Sequence, residues 1–263
     1  MTEACAIGAV TRSGPISIIA GPCSIESREQ IMEVAAVAAE CGVRILRGGA
    51  YKPRTSPYSF QGLEEEGLKY LAEAGERYGL LTVTEVVDSA HAELVDSYID
   101  ILQVGTRNMA NFSLLKKLGK VTSESGKPVF FKRGMAATIE EWLGASEYIT
   151  YQGNENVILC ERGIRTFETS TRFTLDITAV PVVHKLSNLP IVVDASHAVG
   201  HADMVPAVCR AAVAIGADGL MVEAHPDPRK ALSDGQQSLD LPGLRALVAD
   251  LAPFAAAVGR ELA

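Results

Sequence analysis

The chain has 263 residues, 48% of them hydrophobic and 21% charged, with a net charge of −8. That length supports a large core without disulfide or metal staples and is close to the roughly 250 residues of one α/β barrel. The acidic balance makes nucleic acid and anionic membrane poor partners, and no apolar run approaches the ~18 residues of a transmembrane helix.

Residues 1–15 read as a short lead-in without a core pattern, and the first eight lack the basic start and apolar stretch of a secretory signal. Short apolar runs then alternate with amphipathic stretches. Strands are predicted at 16–20, 43–46, 80–84, 99–104, 128–131, 156–160, 190–193 and 219–222. Each is β-branched or apolar and short, as parallel strands covered on both faces are. Helices are predicted at 27–41, 63–78, 90–97, 112–125, 138–151, 175–186, 204–215 and 244–258. Ser27 with Gln30 and Thr138 with Glu141 form capping-box patterns at helix starts. Gly42, Gly79, Gly126 and Gly216 close helices. Strict alternation of this kind at about 33 residues per unit predicts a single (β/α)8 barrel over 16–263. No linker or second domain is apparent. The five cysteines (Cys5, Cys23, Cys41, Cys160, Cys209) lack Cys-x-x-Cys spacing, which predicts reduced thiols and a cytoplasmic location.

In such a barrel the chemistry sits at the C-terminal ends of the strands. The residues that come after the eight apolar runs include, in order, Cys23, Arg47, Glu85, Arg107, Lys132 with Arg133, Glu161 with Arg162, Asp194 with His197, and Glu223 with His225. Every exit therefore carries a titratable or metal-binding side chain. The second exit opens the segment Arg47-Gly-Gly-Ala-Tyr-Lys-Pro-Arg-Thr-Ser-Pro57. Gly48 and Gly49 permit close backbone approach, while Pro53 and Pro57 stiffen the rest of the segment. A stiff loop carrying Arg47, Lys52 and Arg54 in an acidic protein reads as a specific anion site.

The exits divide into two chemical sets. Arg47, Lys52, Arg54, Arg107, Lys132 and Arg162 suit phosphate or carboxylate. Cys23, His197, Glu223 and Asp234 offer sulfur, nitrogen and oxygen to a divalent transition metal rather than to magnesium or calcium. Spacing alone leaves this quartet one candidate among others, because His201 and His225 compete with His197.

Seven segments carry a resemblance: Gly21-Pro-Cys-Ser24, Arg47 to Ser56, Gln103-Val-Gly-Thr-Arg-Asn-Met109, Phe131-Lys-Arg-Gly134, Glu161-Arg-Gly-Ile-Arg165, Asp194-Ala-Ser-His197 and Met221-Val-Glu-Ala-His-Pro226. From about residue 16 to about 240 the chain resembles the type I-beta 3-deoxy-D-arabino-heptulosonate 7-phosphate (DAHP) synthases, whose barrel also resembles 3-deoxy-D-manno-octulosonate 8-phosphate (KDO8P) synthase. The resemblance implies condensation of phosphoenolpyruvate with erythrose 4-phosphate and water, releasing phosphate, at the entry to the shikimate pathway. It implies that Arg47, Lys52, Arg107, Lys132 and Arg162 hold phosphoenolpyruvate. Lys52, Pro53, Arg54 and Thr55 would receive erythrose 4-phosphate. Cys23, His197, Glu223 and Asp234 would bind one divalent metal ion of the manganese, cobalt, iron or zinc class. Lys52 is then the expected proton donor, acting beside Cys23 and His197, and Glu85 a candidate for activating water. A homodimer or homotetramer is implied, with a chorismate mutase as a candidate partner.

Two departures bear on this. Ala195 stands where the family pattern has proline, which loosens the backbone before His197. About fifteen residues precede the barrel, so neither a regulatory domain nor a fused mutase is expected. The rival KDO8P synthases read Lys-Ala-Asn-Arg-Ser where this chain reads Lys52-Pro-Arg-Thr-Ser56, which favours the four-carbon sugar. A Schiff-base aldolase using Lys132 and an inactive sugar-phosphate-binding paralogue are the remaining alternatives.

Overall fold

The computed structural model of the chain describes residues 10–52, 56 and 58–263. Eight parallel strands close into a barrel in sequence order. They are β1 (Ser17–Gly21), β2 (Ile45–Arg47), β3 (Leu81–Glu85), β4 (Ile101–Val104), β5 (Val129–Lys132), β6 (Val157–Glu161), β7 (Ile191–Asp194) and β8 (Gly219–Glu223). Closure is made by β1 on β8, in register from Ser17 with Gly219 to Gly21 with Glu223. The helices are α1 (Arg28–Glu40), α2 (Glu64–Tyr78), α3 (Ala92–Tyr98), α4 (Phe112–Ser125), α5 (Ile139–Thr150), α6 (Ala179–Leu186), α7 (Ala195–Val199), α8 (Val205–Ala214) and α9 (Leu241–Ala257). The expected (β/α)8 barrel is thus present, with α7 as an unforeseen addition at the top of β7.

Most strands run one residue further than their apolar runs, to Gly21, Arg47, Glu85, Lys132, Glu161, Asp194 and Glu223. The backbone ladder does not stop where hydrophobicity stops. In a closed barrel both neighbours remain available, so pairing continues into the polar layer.

Side-chain alternation of period two then places that layer. Ile18, Ala20, Leu46, Leu102, Val129, Phe131, Leu159, Val193 and Leu220 belong to the core between strands and helices. Ile19, Ile45, Val83, Ile101, Phe130, Ile158, Val192 and Met221 fill the barrel interior. Two residues on from this inner layer stand Gly21, Arg47, Glu85, Gln103, Lys132, Cys160, Asp194 and Glu223. At six of the eight positions, all but Gly21 and Cys160, the apolar floor gives way to a polar ceiling in the next layer of the same pattern.

Val10, in the segment read as a lead-in without core pattern, is buried in the same interior cluster. A single apolar residue has no periodicity to reveal it. Helix ends have the expected chemistry with one correction. Thr138 and Glu141 complete a reciprocal capping box on α5. Ser27 caps α1 through Gln30 N at 3.1 Å, but the Gln30 side chain binds Ser24 O and Glu26 N instead of reaching back to Ser27. Gly79 and Gly126 end α2 and α4 in left-handed conformation.

Candidate active site

At the C-terminal mouth of the barrel lies a cavity of about 330 Å³. Arg47, Lys52, Glu85, Arg107, Lys132, Arg162, His197 and Asp234 line it, together with Ser56, Ser59, Gln103, Met135, Arg172 and Phe173. Pro53, Arg54 and Thr55 fall outside the described residues. Lys52 N donates to Gln61 O at 2.8 Å, which brackets the segment that contains them.

Cys23, His197, Glu223 and Asp234 converge so that one donor atom from each lies within 4.8 Å of the others. Cys23 Sγ is 3.2 Å from Asp234 Oδ2. His197 Nε2 faces Glu223 Oε1 at 3.4 Å and Asp234 Oδ2 at 3.9 Å. Burial raises the Cys23 thiol, and Glu223 adds to the rise while Lys52 opposes it. Burial also lowers His197, against the pull of Asp194 and Glu223, which favours the neutral imidazole that can donate a lone pair. A thiol, an imidazole and two carboxylates crowded at these distances fit a divalent transition metal, whose charge would offset the acids and deprotonate the thiol. Asp234 holds its place with φ 51°, a left-handed conformation that Asp tolerates better than most residues.

The remaining cations differ in what holds them. Arg47 pairs with Glu223, and Lys132 with Asp194 at 2.5 Å. Arg133, the first residue beyond β5 and of opposite parity to Lys132, instead bridges Glu161 and Asp176 at 2.8 Å each. Arg162 is buried, makes no ion pair among the described residues, and stacks 3.7 Å beneath the Phe173 ring. Burial lowers it to about 10 despite Asp194. A buried guanidinium without an acid is costly unless an anion visits. Arg107 is exposed at the cavity rim, in the Thr106–Asn108 turn.

Lys52 Nζ rests on Cys23, 2.9 Å from its carbonyl oxygen and 3.0 Å from Sγ. This contact is possible because residue 49 is glycine. A Cβ there would stand 2.7 Å from Cys23 O and 2.8 Å from Lys52 Cδ. The need is for closeness, since the φ of Gly49 is not in the positive region. Glu85 packs similarly against Gly105, where a Cβ would fall 2.0 Å from its Oε1.

Sequence reasoning places Asp194 at a strand exit and gives it no role. It is fully buried and joins the two chemical sets. Its Oδ2 contacts Lys132 Nζ at 2.5 Å and His197 Nδ1 at 2.8 Å, the latter without hydrogen-bond alignment. Its Oδ1 accepts from His197 N at 3.0 Å and so caps α7. His197 and Lys132 outweigh burial and hold this carboxyl well below the usual range. The cap, with Ala195 buried at the first helical position, fixes the backbone that the missing proline was expected to loosen. Proline would suit that position because its φ is helical, yet the turn forms without it. Gln103, Arg172 and Gln237 also escape sequence reasoning. Arg172 bonds Gln237, and Gln237 bonds Glu223 on another element, so no local signal marks either of these two.

The sequence profile of the DAHP synthetase I family matches residues 7–252. The chain belongs to this family. It is 55% identical over 247 residues to the phospho-2-dehydro-3-deoxyheptonate aldolase of Thermotoga maritima, covering 94% of this chain and 72% of that protein. Against the 2-dehydro-3-deoxyphosphooctonate aldolase of Nitrobacter hamburgensis the identity is 34% over 267 residues, covering 94% of this chain and 91% of that one. A crystal structure of the Thermotoga DAHP synthase superposes with a TM-score of 0.92 at 54% identity, covering 95% of this chain and 72% of that one. A truncated form of the Thermotoga enzyme gives 0.88 at 50% identity, covering 95% and 90%. Among the described residues no helix is long and apolar enough to cross a membrane.

Proposed function

We propose that this cavity condenses phosphoenolpyruvate with D-erythrose 4-phosphate and water, giving DAHP and inorganic phosphate, as the first step of the shikimate pathway. The observation that carries this reading is a four-donor metal quartet, two of whose members line the cavity, beside Lys52, Arg107 and Arg162, which make no ion pair among the described residues, in a DAHP synthetase I barrel. The identity to the heptonate aldolase, against 34% to the octonate aldolase, favours the four-carbon sugar.

Arg162 and Arg107 anchor the phosphate and carboxylate of phosphoenolpyruvate as planar forks. Lys132 and Arg47 add charge from their buried pairs with Asp194 and Glu223. Phe173 keeps water from one face of Arg162. Lys52, beside Cys23, stands between the two substrates, and Pro53, Arg54 and Thr55 receive erythrose 4-phosphate.

Cys23, His197, Glu223 and Asp234 hold one divalent metal of the manganese, cobalt, iron or zinc class, which supplies Lewis-acid polarisation of the aldehyde oxygen. The bond forms between carbon-3 of phosphoenolpyruvate and the aldehyde carbon. Lys52 gives its proton to the oxygen that becomes a hydroxyl. Water adds at carbon-2, and Glu85 on the cavity wall accepts its proton. Cleavage of the bond between carbon-2 and the phosphate ester oxygen, with the hydroxyl proton passing to the leaving phosphate, turns the resulting phosphohemiketal into the ketone. The departing dianion is stabilised by the same arginines. A Schiff base through Lys132 is disfavoured, because its Nζ is engaged by Asp194 inside the barrel wall.

The decisive assay is phosphate release from phosphoenolpyruvate with erythrose 4-phosphate or arabinose 5-phosphate, with and without EDTA. Release with only the four-carbon sugar, lost on chelation and restored by manganese or cobalt, is expected. Release with the five-carbon sugar would move the chain to the KDO8P group. Silence with both in metal-replete protein would leave a binding paralogue. The same reading carries a cytoplasmic location, a homodimer or homotetramer, and a chorismate mutase as a separate partner. Light scattering and co-purification test the last two.

A further inference from the structure

Gln237 lies three residues beyond the last of the four ligands and is buried at 2% exposure. Both ends of its amide are engaged. Nε2 donates to Glu223 Oε2 at 2.7 Å, and Oε1 accepts from Arg172 Nη1 at 2.6 Å. The amide therefore has one productive orientation. Flipped, it would set its carbonyl against a carboxylate and its NH2 against a guanidinium. Arg172 selects the orientation, and Gln237 passes it on.

What Gln237 holds is one of the metal donors. Glu223 Oε1 belongs to the pair with Arg47 and faces His197 Nε2 at 3.4 Å, so the Gln237 bond to Oε2 fixes the remaining rotation of the carboxylate. Arg172 Nη1 also stands 3.3 Å from Asp234 Oδ2. Its segment is tied to the helix that carries His197, through Arg172 N to Val199 O at 3.0 Å and Phe173 N to Ala198 O at 2.8 Å. One loop, between β6 and α6, thereby contacts the segments that present two of the four donors, His197 and Asp234, and reaches a third, Glu223, through Gln237. The next residue in that loop is Phe173, the cover of Arg162.

We propose that Gln237, oriented by Arg172, is a positioning residue that presets Glu223 for metal binding. This rests on the reading of Cys23, His197, Glu223 and Asp234 as metal ligands. Partners one shell behind metal ligands typically change metal affinity about 10–100-fold when removed, and a fully buried amide bonded to both a ligand and a guanidinium belongs to that class.

The test titrates metal-stripped full-length protein with cobalt(II), following the cysteinate-to-cobalt absorption band and competing against a chelator of known affinity. Wild type is expected to bind one equivalent with the band. Gln237→Met, similar in volume without the amide, is expected to bind about 10–100-fold more weakly. Arg172→Lys keeps a cation near Asp234 but loses the fork, and is expected to weaken binding by a smaller factor. In the double variant the two losses should not add, because Arg172 acts through Gln237. Wild-type affinity in Gln237→Met, or additive losses in the double variant, overturns the proposal. Should Gln237→Met fail to fold without metal, Arg172→Lys decides, and wild-type affinity there is the overturning result. Absence of the band in wild type would overturn the ligand reading itself, and this proposal with it.

Discussion

Replacing Asp194 by Asn removes one negative charge from the centre of the site with almost no change in size. The carboxylate is fully buried and Lys132 is only 5% exposed, at 2.5 Å. Removing one partner of such a pair leaves an uncompensated ammonium in the barrel wall, at a cost of about 3–5 kcal/mol. The Asn carbonyl can still accept from His197 N, so the cap of α7, about 1 kcal/mol, survives in Asp194→Asn and is lost only in Asp194→Ala. For a chain of this size, 1 kcal/mol moves the melting temperature by about 2–4 °C, so a fall of roughly 10 °C is expected. Urea unfolding and thermal melts of metal-free protein measure it. Adding Lys132→Met removes the stranded charge, and the double variant is expected to recover at least about 2 kcal/mol. A loss under about 1 kcal/mol in Asp194→Asn, or no recovery in the double variant, would refute the reasoning that this pair is desolvated and mutually dependent.

Gly49→Ala places a methyl group 2.7 Å from Cys23 O and 2.8 Å from Lys52 Cδ; turnover should fall at least about 10-fold as Lys52 is displaced, while circular dichroism stays native, and unchanged turnover would mean Lys52 is not set by this contact. Burial pushes the Asp176 carboxyl up, but the Arg133 and Thr178 hydrogen bonds outweigh it and hold it below its ordinary value. Its stabilising contribution is therefore complete above about pH 4, the unfolded value, and is lost as pH falls through the lower folded value. The stability difference between wild type and Asp176→Asn, from urea curves at pH 3 to 7, should shrink only on the acid side; a constant difference would count against the assignment. Thr138→Ala deletes the capping hydroxyl of α5 and is expected to cost about 1 kcal/mol in the same assay, with no change in metal affinity.

The two carboxylates around Arg133 show where pattern reading stops. Lys132 and Arg133 look alike as neighbours in sequence, and both stand at the same strand exit. Parity separates them. Phe130 faces the barrel interior and Phe131 the helices, so Lys132 enters the site while Arg133 ties Glu161 to Asp176 outside it. That distinction is available in the period-two pattern once the inner layer is known. Helix α7 is not legible, because five residues are too few to show a helical period. The half-formed capping box at Ser27 results from competition, since Gln30 finds Ser24 O and Glu26 N closer to hand.

By itself the sequence determined the alternation of strands and helices, the polar ceiling at eight strand exits, and the family. These are local or cumulative signals: hydrophobic period, cap residues, and short motifs in fixed order. Only the tertiary structure decided which of the cavity's cations are paired with acids and which are not. Arg47 meets Glu223, and Lys132 meets Asp194, while Arg162 is left to Phe173. It likewise brought Gln237 to Glu223 and Arg172 to Asp234. Such pairings depend on distances of a few ångströms between side chains on different strands and loops. Barrel closure creates those distances, and no spacing along the chain records them.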